Sequence, residues 1–343
     1  MSIDAATELP VIVHKQPDAR WLQASREEPL LPELPILDAH HHFSEHWGGY
    51  MPPDLVADAQ GHNLRATVYI QCAWRYRQDG PEHLKPVGEV EAVVAATRNG
   101  RAGSPRIAAG IVGYADLRHS AVDEILFALE QASDGRLRGI RNSGAWHSGF
   151  RHGVLARPMK GLYGDPAFRG GYGRLAHHGL SFDAWIYHPQ ILEVAELARA
   201  FPDVPLVLDH IGGLLGVGDY QDDPERARKE WEARIRVLAA CPNVHVKIGG
   251  FGTAVFGYDF VSQPRPPSSE QLAREWQPLV DTTLDLFGSE RCMFESNFPV
   301  DRSLGGYGVL WNAFKRVASG LSESERRALF HDNAARLYRI PAT

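Results

Sequence analysis

Two histidines one residue apart, His40 and His42, stand in the segment Leu37-Asp38-Ala39-His40-His41-His42-Phe43. In an extended strand alternate side chains share a face, so these two imidazoles point together and His41 points away. Two imidazoles on one face can bind one divalent ion. A third candidate, His210, sits in Val207-Leu208-Asp209-His210-Ile211-Gly212-Gly213. If both segments end parallel strands of one barrel, the three rings leave one position open for water, as catalytic zinc sites do. The other reading of these rings is a histidine cluster at the surface or in the core. His188, in Trp185-Ile186-Tyr187-His188-Pro189, is a fourth candidate as a ligand or substrate contact, although the helix-start Pro189 also explains it.

Two cations end further strands, Arg141 in Arg138-Gly139-Ile140-Arg141 and Lys247 in Val244-His245-Val246-Lys247. A cation buried there needs a carboxylate or an oxyanion beside it. Arg141 suits bidentate binding of a substrate carboxylate, and Lys247 acts as a point charge. A structural ion pair is the alternative for each.

The elements that must position these groups can be followed along the chain. Residues 1 to 35 carry Pro10, Pro17, Pro29, Pro32 and Pro35 with no steady period, and are expected to form an N-terminal arm. The barrel domain is expected over residues 36 to 343. Eight short apolar runs then follow: 36–39, 66–72, 107–112, 139–141, 180–186, 205–208, 244–248 and 292–294. Helical spacing of apolar residues fills several gaps, over 121–131, 190–200, 225–238 and 269–286. This alternation indicates a parallel sheet with crossover helices, and eight strands favour a closed (β/α)8 TIM barrel in one domain. No G-x-G-x-x-G follows the first strand to suggest a dinucleotide fold. Long polar or glycine-rich stretches at 146–173 and 250–267 follow strands 4 and 7 and are expected to cover the mouth. Gln71, at the end of strand 2, faces the mouth in this scheme, and with Trp74, Arg75, Tyr76 and Trp146 it is expected to line a substrate pocket.

The composition supports a folded, non-exported protein. With 44% hydrophobic and 23% charged residues, 343 residues supply a sizeable core. A formal charge of -6 and the lack of Lys/Arg clusters argue against nucleic acid as a partner. Cys72, Cys241 and Cys292 are too few and too scattered for a disulfide framework. Asp4 and Glu8 replace the basic patch of a leader, and no stretch reaches the length of a membrane span. A cytoplasmic location is therefore expected, with a small molecule as substrate.

Taken together, D-A-H-H-H-F at 38–43, R-G-I-R at 138–141, V-L-D-H-I-G-G at 207–213, V-K-I-G-G at 246–250 and R-C-M-F-E-S-N-F-P-V at 291–300 make the sequence resemble the amidohydrolase superfamily. Within it, the sequence is similar to the lactonase-like branch acting on sugar lactones and on lactones of aromatic degradation. The resemblance implies a barrel, a water nucleophile and hydrolysis of a lactone or related ester. It matches His40 and His42 to the strand-1 pair and His210 to the strand-6 histidine, as ligands of a divalent metal, with Zn2+ expected. Some members of the branch dispense with the metal and use the histidines to polarise the carbonyl. The resemblance also puts Asn297 where the family usually carries an aspartate. An amide has no basic site for the proton of water, so that task passes to another group. Asp301 is preferred, with Glu295, Asp183 and His188 behind it, while Asn297 can orient the water. Arg141 or Lys247 would stabilise the oxyanion or a carboxylated lactone. The rival readings are nonoxidative decarboxylation of an aromatic acid and a catalytically silent binding barrel. A homodimer is expected by analogy with other barrels.

Overall fold

The apolar runs become eight parallel strands, in order along the sheet β1 (Pro35–His41), β2 (Asn63–Ile70), β3 (Arg106–Gly113), β4 (Leu137–Ser143), β5 (Ser181–Trp185), β6 (Leu206–Leu208), β7 (Val244–Ile248) and β8 (Cys292–Phe294). The structure is a computed structural model that describes residues 9–24, 26–45, 49–100, 103–152 and 158–341. Residues 1–8 and 25 of the expected arm, with Asp4 and Glu8, and 153–157 of the loop after β4 lie outside the described residues. A crossover helix follows each strand: α1 (Pro52–Asp58), α2 (Val87–Thr97), α3 (Val122–Ala132), α4 (Pro166–His177), α5 (Ile191–Ala200), α6 (Pro224–Ala239), α7 (Ser269–Phe287) and α8 (Tyr307–Val317). The chain is thus a TIM barrel, nearly closed. Among the described residues no helix is long and apolar enough to cross a membrane.

Each helix lays an apolar stripe on the strands. On α7, Leu272, Ala273, Trp276, Leu279, Val280 and Phe287 are buried at helical spacing, and the Ser268 hydroxyl caps its start by accepting from Gln271 N at 3.2 Å. The glycine-rich stretch expected as loop to Gly173 is partly helix. Asp165 caps α4 and Pro166 begins it, and Gly171 is needed where a Cβ would stand 1.9 Å from Leu117 O. Gly173 also serves close packing, a Cβ there standing 3.1 Å from the Phe201 ring.

Inside the barrel, Leu37, Ala39, Ala66, Val68, Ile70, Val112, Val207 and Met293 form one cluster with Ala334, Tyr338 and Ile340 of the C-terminal segment, which plugs the barrel. The ends of the sheet meet through the segment after β8: His42 N donates to Phe298 O and Asn297 N donates to His40 O, both at 2.8 Å. Side chains fasten the same seam. The fully buried Asp38 accepts from Ser296 N at 2.9 Å, Ser296 Oγ at 2.6 Å and Tyr307 OH of α8 at 3.0 Å. Burial lifts the Asp38 carboxyl to about 6 against the pull of those donors.

Candidate active site

Local irregularity in β1 aims its histidines. Leu37 and Ala39 face the interior and Asp38 faces α8, so simple alternation would send His40 outward with Asp38. A register shift between Asp38 and His41 breaks the alternation. His40 and His42 now share a side, with their Nε2 atoms 3.2 Å apart, and His41 turns away to Thr67 Oγ1 at 2.8 Å. On the other wall, β6 ends in a tight turn in which His210 adopts φ 54°. Gly250, at φ +66°, makes room for that ring, since a Cβ there would stand 2.1 Å from His210 Nδ1. The rings of His40 and His210 lie 4.6 Å apart.

Hydrogen bonds fix the tautomers. His42 Nδ1 donates to Ile70 O at 2.8 Å. Glu295, fully buried just past β8, holds two rings at once: His210 Nδ1 donates to its Oε1 at 2.6 Å, and His40 Nδ1 lies 2.8 Å from its Oε2. Lys247 Nζ also stands 3.3 Å from His40 Nδ1. Both groups contend for that nitrogen, Lys247 as a hydrogen-bond donor and Glu295 as a charge whose Oε2 completes no hydrogen bond among the described residues. His42 and His210 are therefore anchored through Nδ1 and keep an Nε2 lone pair, the outer-shell pattern of metal-binding histidines, while the Nδ1 of His40 lies between Glu295 and Lys247. Burial alone would raise the Glu295 carboxyl, but His210 and His40 bring it down to about 2. Burial, and then Lys247, lowers His40 to about 4, and burial holds His42 well below the ordinary histidine range, so both rings are neutral ligands.

Two pairs among these groups suit a divalent ion, His40 with His42 and His40 with His210. Nitrogens bound at about 2.0–2.1 Å in a tetrahedron stand roughly 3.3 Å apart, close to the His40–His42 separation. Ligand atoms of His40, Asp209 and His210 also lie within 4.8 Å of one another. Asp209, however, is occupied elsewhere. Its Oδ1 accepts from Lys247 at 3.2 Å and its Oδ2 from Arg141 Nε at 2.8 Å. Despite the upward push of burial, those two cations hold its carboxyl well below the usual range.

Lys247 and Arg141 thus enter the site already paired. Lys247 Nζ donates to Asp183 Oδ2 at 2.6 Å as well, and Tyr338 OH donates to the same oxygen at 2.8 Å. Burial opposes the Lys247 charge, but Asp183 and Asp209 outweigh it and raise its pKa. Arg141 Nη1 donates to Gln71 O at 3.2 Å.

Beyond β8, Asn297 sits at φ 51° and its Nδ2 donates to Asp301 Oδ1 at 2.7 Å. Asp301 is fully buried, its Oδ2 has no hydrogen-bond partner among the described residues, and burial raises its carboxyl well above the ordinary range. His188 engages other neighbours. Its Nδ1 accepts from Leu215 N at 3.1 Å and its ring packs edge-on to Tyr220 at 4.7 Å.

A cavity of about 540 Å³ opens beside β2, β3 and β4. Gln71 and Tyr76 line it as the sequence suggests, joined by Tyr114, Asp116, Arg118 and Asn142. Trp74 instead donates through Nε1 to Glu45 Oε2 at 2.5 Å, and Arg75 pairs with the same carboxylate. Trp146 carries Lys160 over its ring at 5.1 Å. Sequence reasoning missed Asp209 and Asn142. Asp209 directly precedes His210 and Asn142 follows Arg141, so each motif held a neighbouring polar group worth weighing.

A family model described as amidohydrolase matches residues 37–340. The chain belongs to this family. An L-fucono-1,5-lactonase of Burkholderia multivorans is 28% identical over 320 residues, covering 89% of this amidohydrolase and 96% of the relative. An uncharacterised protein of Sinorhizobium fredii is 36% identical over 85% of this chain and 86% of its own. Among solved structures, a zinc-bound amidohydrolase of Burkholderia multivorans superposes with a TM-score of 0.69 at 25% identity, covering 89% of this chain and 99% of that one. For this amidohydrolase, membership and the anchored histidines agree on a candidate metal centre at the barrel mouth.

Proposed function

We propose that this chain opens a lactone or related cyclic ester by hydrolysis at the histidine centre. The observation that carries the reading is the cluster of three buried imidazoles, two of them tied through Nδ1 with Nε2 lone pairs left over, in a chain similar to a lactonase along nearly its whole length. His40, His42 and His210 would hold a divalent ion, Zn2+ by analogy with the zinc-bound relative. Such an ion polarises a carbonyl and makes water more acidic.

The chain's own residues do the rest. Glu295 keeps His210 in the binding tautomer and stands 2.8 Å from the Nδ1 of His40. Asn297 fixes one oxygen of Asp301, so the other, Oδ2, accepts a proton from the attacking water. As the tetrahedral species collapses and the ring C–O bond breaks, Asp301 returns that proton to the leaving alkoxide. Lys247 and Arg141 are balanced by Asp183 and Asp209, and Arg118 in the cavity lining is paired with Asp116, so these residues offer no surplus positive charge for a carboxylated lactone. Gln71, Tyr76, Tyr114 and the unpartnered Oδ1 of the buried Asn142 offer neutral donors and acceptors instead. A neutral hydroxylated lactone fits this lining better.

Metal content and hydrolysis of L-fucono-1,5-lactone, each measured before and after chelation, test the reading. One ion per chain and loss of ring opening on its removal are expected, and His42→Ala should lose both metal and turnover. Release of CO2 from a hydroxybenzoate with every lactone untouched would establish decarboxylation instead. Tight binding of a lactone with no turnover would make the barrel a binding protein.

A further inference from the structure

Two half-buried histidines outside the barrel strands stand over the centre, and the chemistry above uses neither. His14 lies in the segment before β1, and His152 in the loop after β4. Their Nε2 atoms are 3.1 Å apart. Three ties put them there. Val11–Ile12 pairs in parallel with Arg151–His152. Lys15 Nζ donates to Asp259 Oδ2 at 2.7 Å and to Ser262 Oγ at 3.0 Å, and Trp21 Nε1 donates to Gln263 O at 3.0 Å. The N-terminal segment therefore binds the loops after β4 and β7 to one another across the mouth.

Below the pair lies the candidate active site. His14 abuts the backbone of Gly252 and is within electrostatic range of His210. His152 is within range of both His210 and Arg141, and its ring meets Trp185 edge-on at 6.4 Å, which in turn packs against His210 at 4.9 Å. The Nδ1 of His14 is buried against the Gly252 backbone and completes no hydrogen bond of good geometry among the described residues. A neutral imidazole carries one proton. When two such rings join through Nε2, one keeps a free Nδ1–H and the other a free Nδ1 lone pair, and exchanging tautomers swaps the two. One Nδ1 of the pair is thus always a donor and the other an acceptor, on opposite sides of the shared bond; a hydroxyl can meet either state of the ring that faces it, whereas a carboxylate can only accept.

We propose that His14 and His152 form the roof of the active site and are specificity-determining residues that bind a hydroxyl group of the substrate. This rests on the hydrolase reading above. It makes the segment before β1 part of the substrate site rather than a peripheral wrapping.

The test compares L-fucono-1,5-lactone with δ-valerolactone, which has the ester ring and no hydroxyl groups, in full-length protein. Removing a hydrogen bond that selects a substrate hydroxyl costs about tenfold or more in discrimination. In His14→Ala and His152→Ala the ratio of kcat/KM between the two lactones should fall by that factor, chiefly through KM for the hydroxylated one, with metal content unchanged. His14→Gln, whose amide keeps a donor and an acceptor, should recover part of the ratio. An unchanged ratio, including one in which both lactones lose activity equally, overturns the role of the pair while leaving the hydrolase reading intact. Wild-type protein inert towards both lactones overturns the hydrolase reading, and this proposal with it.

Discussion

Replacing Glu295 with glutamine keeps its shape and changes one oxygen into a donor. The carboxylate accepts from His210 Nδ1 at 2.6 Å and faces His40 Nδ1 at 2.8 Å. With the amide nitrogen turned to His210, the Nδ1–H of that ring meets an N–H. That ring must either move its proton to Nε2, surrendering the lone pair that faces the centre, or leave a buried donor unsatisfied at about 1–3 kcal/mol. Loss of such an orienting partner weakens metal affinity roughly 10- to 100-fold, and that range corresponds to about 1.4–2.7 kcal/mol. Competition with a chromophoric chelator at neutral pH would measure the Zn2+ affinity, and 15N shifts of the imidazoles would report the tautomers. The carboxyl is held down at about 2, so its contacts with the two rings stabilise the fold above the unfolded carboxyl's range and are lost as pH falls through that value. The glutamine variant should lack this acid limb. Unchanged Zn2+ affinity, with His210 still protonated at Nδ1, would refute the reasoning.

Three further substitutions probe neighbouring parts. Asp301→Asn should lower kcat by roughly 10²- to 10⁴-fold with little change in KM. Because burial raises the Asp301 carboxyl, kcat/KM of the wild type should climb with pH through a limb above the ordinary carboxylate range, and that limb should vanish in the variant; a retained kcat would clear Asp301 of the role. Gly250→Ala places a methyl against His210 at positive φ and should cost about 2 kcal/mol or more together with bound metal, as read by thermal unfolding and metal analysis. Tyr307→Phe removes a donor from Asp38 and should cost about 1.5–3 kcal/mol where Asp38 is charged. Asp38 titrates at about 6 when folded, above its unfolded value, so its own contribution to stability falls as pH rises from about 4 to 6. Because the Tyr307 hydroxyl favours the charged form, the cost of Tyr307→Phe should instead grow as pH rises through about 6, where Asp38 ionises in the folded protein, and urea unfolding on either side of that pH would reveal an unchanged cost if the clamp is misassigned.

The barrel was legible because its strands are short apolar runs with chemically distinctive residues at their ends. The run 139–141 marked β4, although polar Arg138, Asn142 and Ser143 hid its true limits of Leu137 and Ser143. His40 and His42 were paired correctly by alternation, but the register shift that turns them inward leaves no trace in the sequence. Contacts between distant strands were equally hidden. Nothing in Glu295 announces that it holds rings from β1 and β6, and the sharing of Asp209 between Arg141 and Lys247 depends on three strands meeting. His14 and His152 lay in segments with no period to read, and only the path of the chain across the mouth brings them together.

The seam fastened by Asp38 also orders events in time. His40 and His42 come from the first strand, whereas Glu295 follows the last, more than two-thirds of the chain away. Contacts so remote in sequence form late, because the closure entropy of the intervening chain must be met first. A chain with seven strands assembled would expose an incomplete sheet edge and would lack an anchored trio of imidazoles. An ion that binds only the finished trio favours the closed state by mass action. Such an ion would act as an inspector of assembly as well as a reagent, rewarding only those chains whose first and last strands have met.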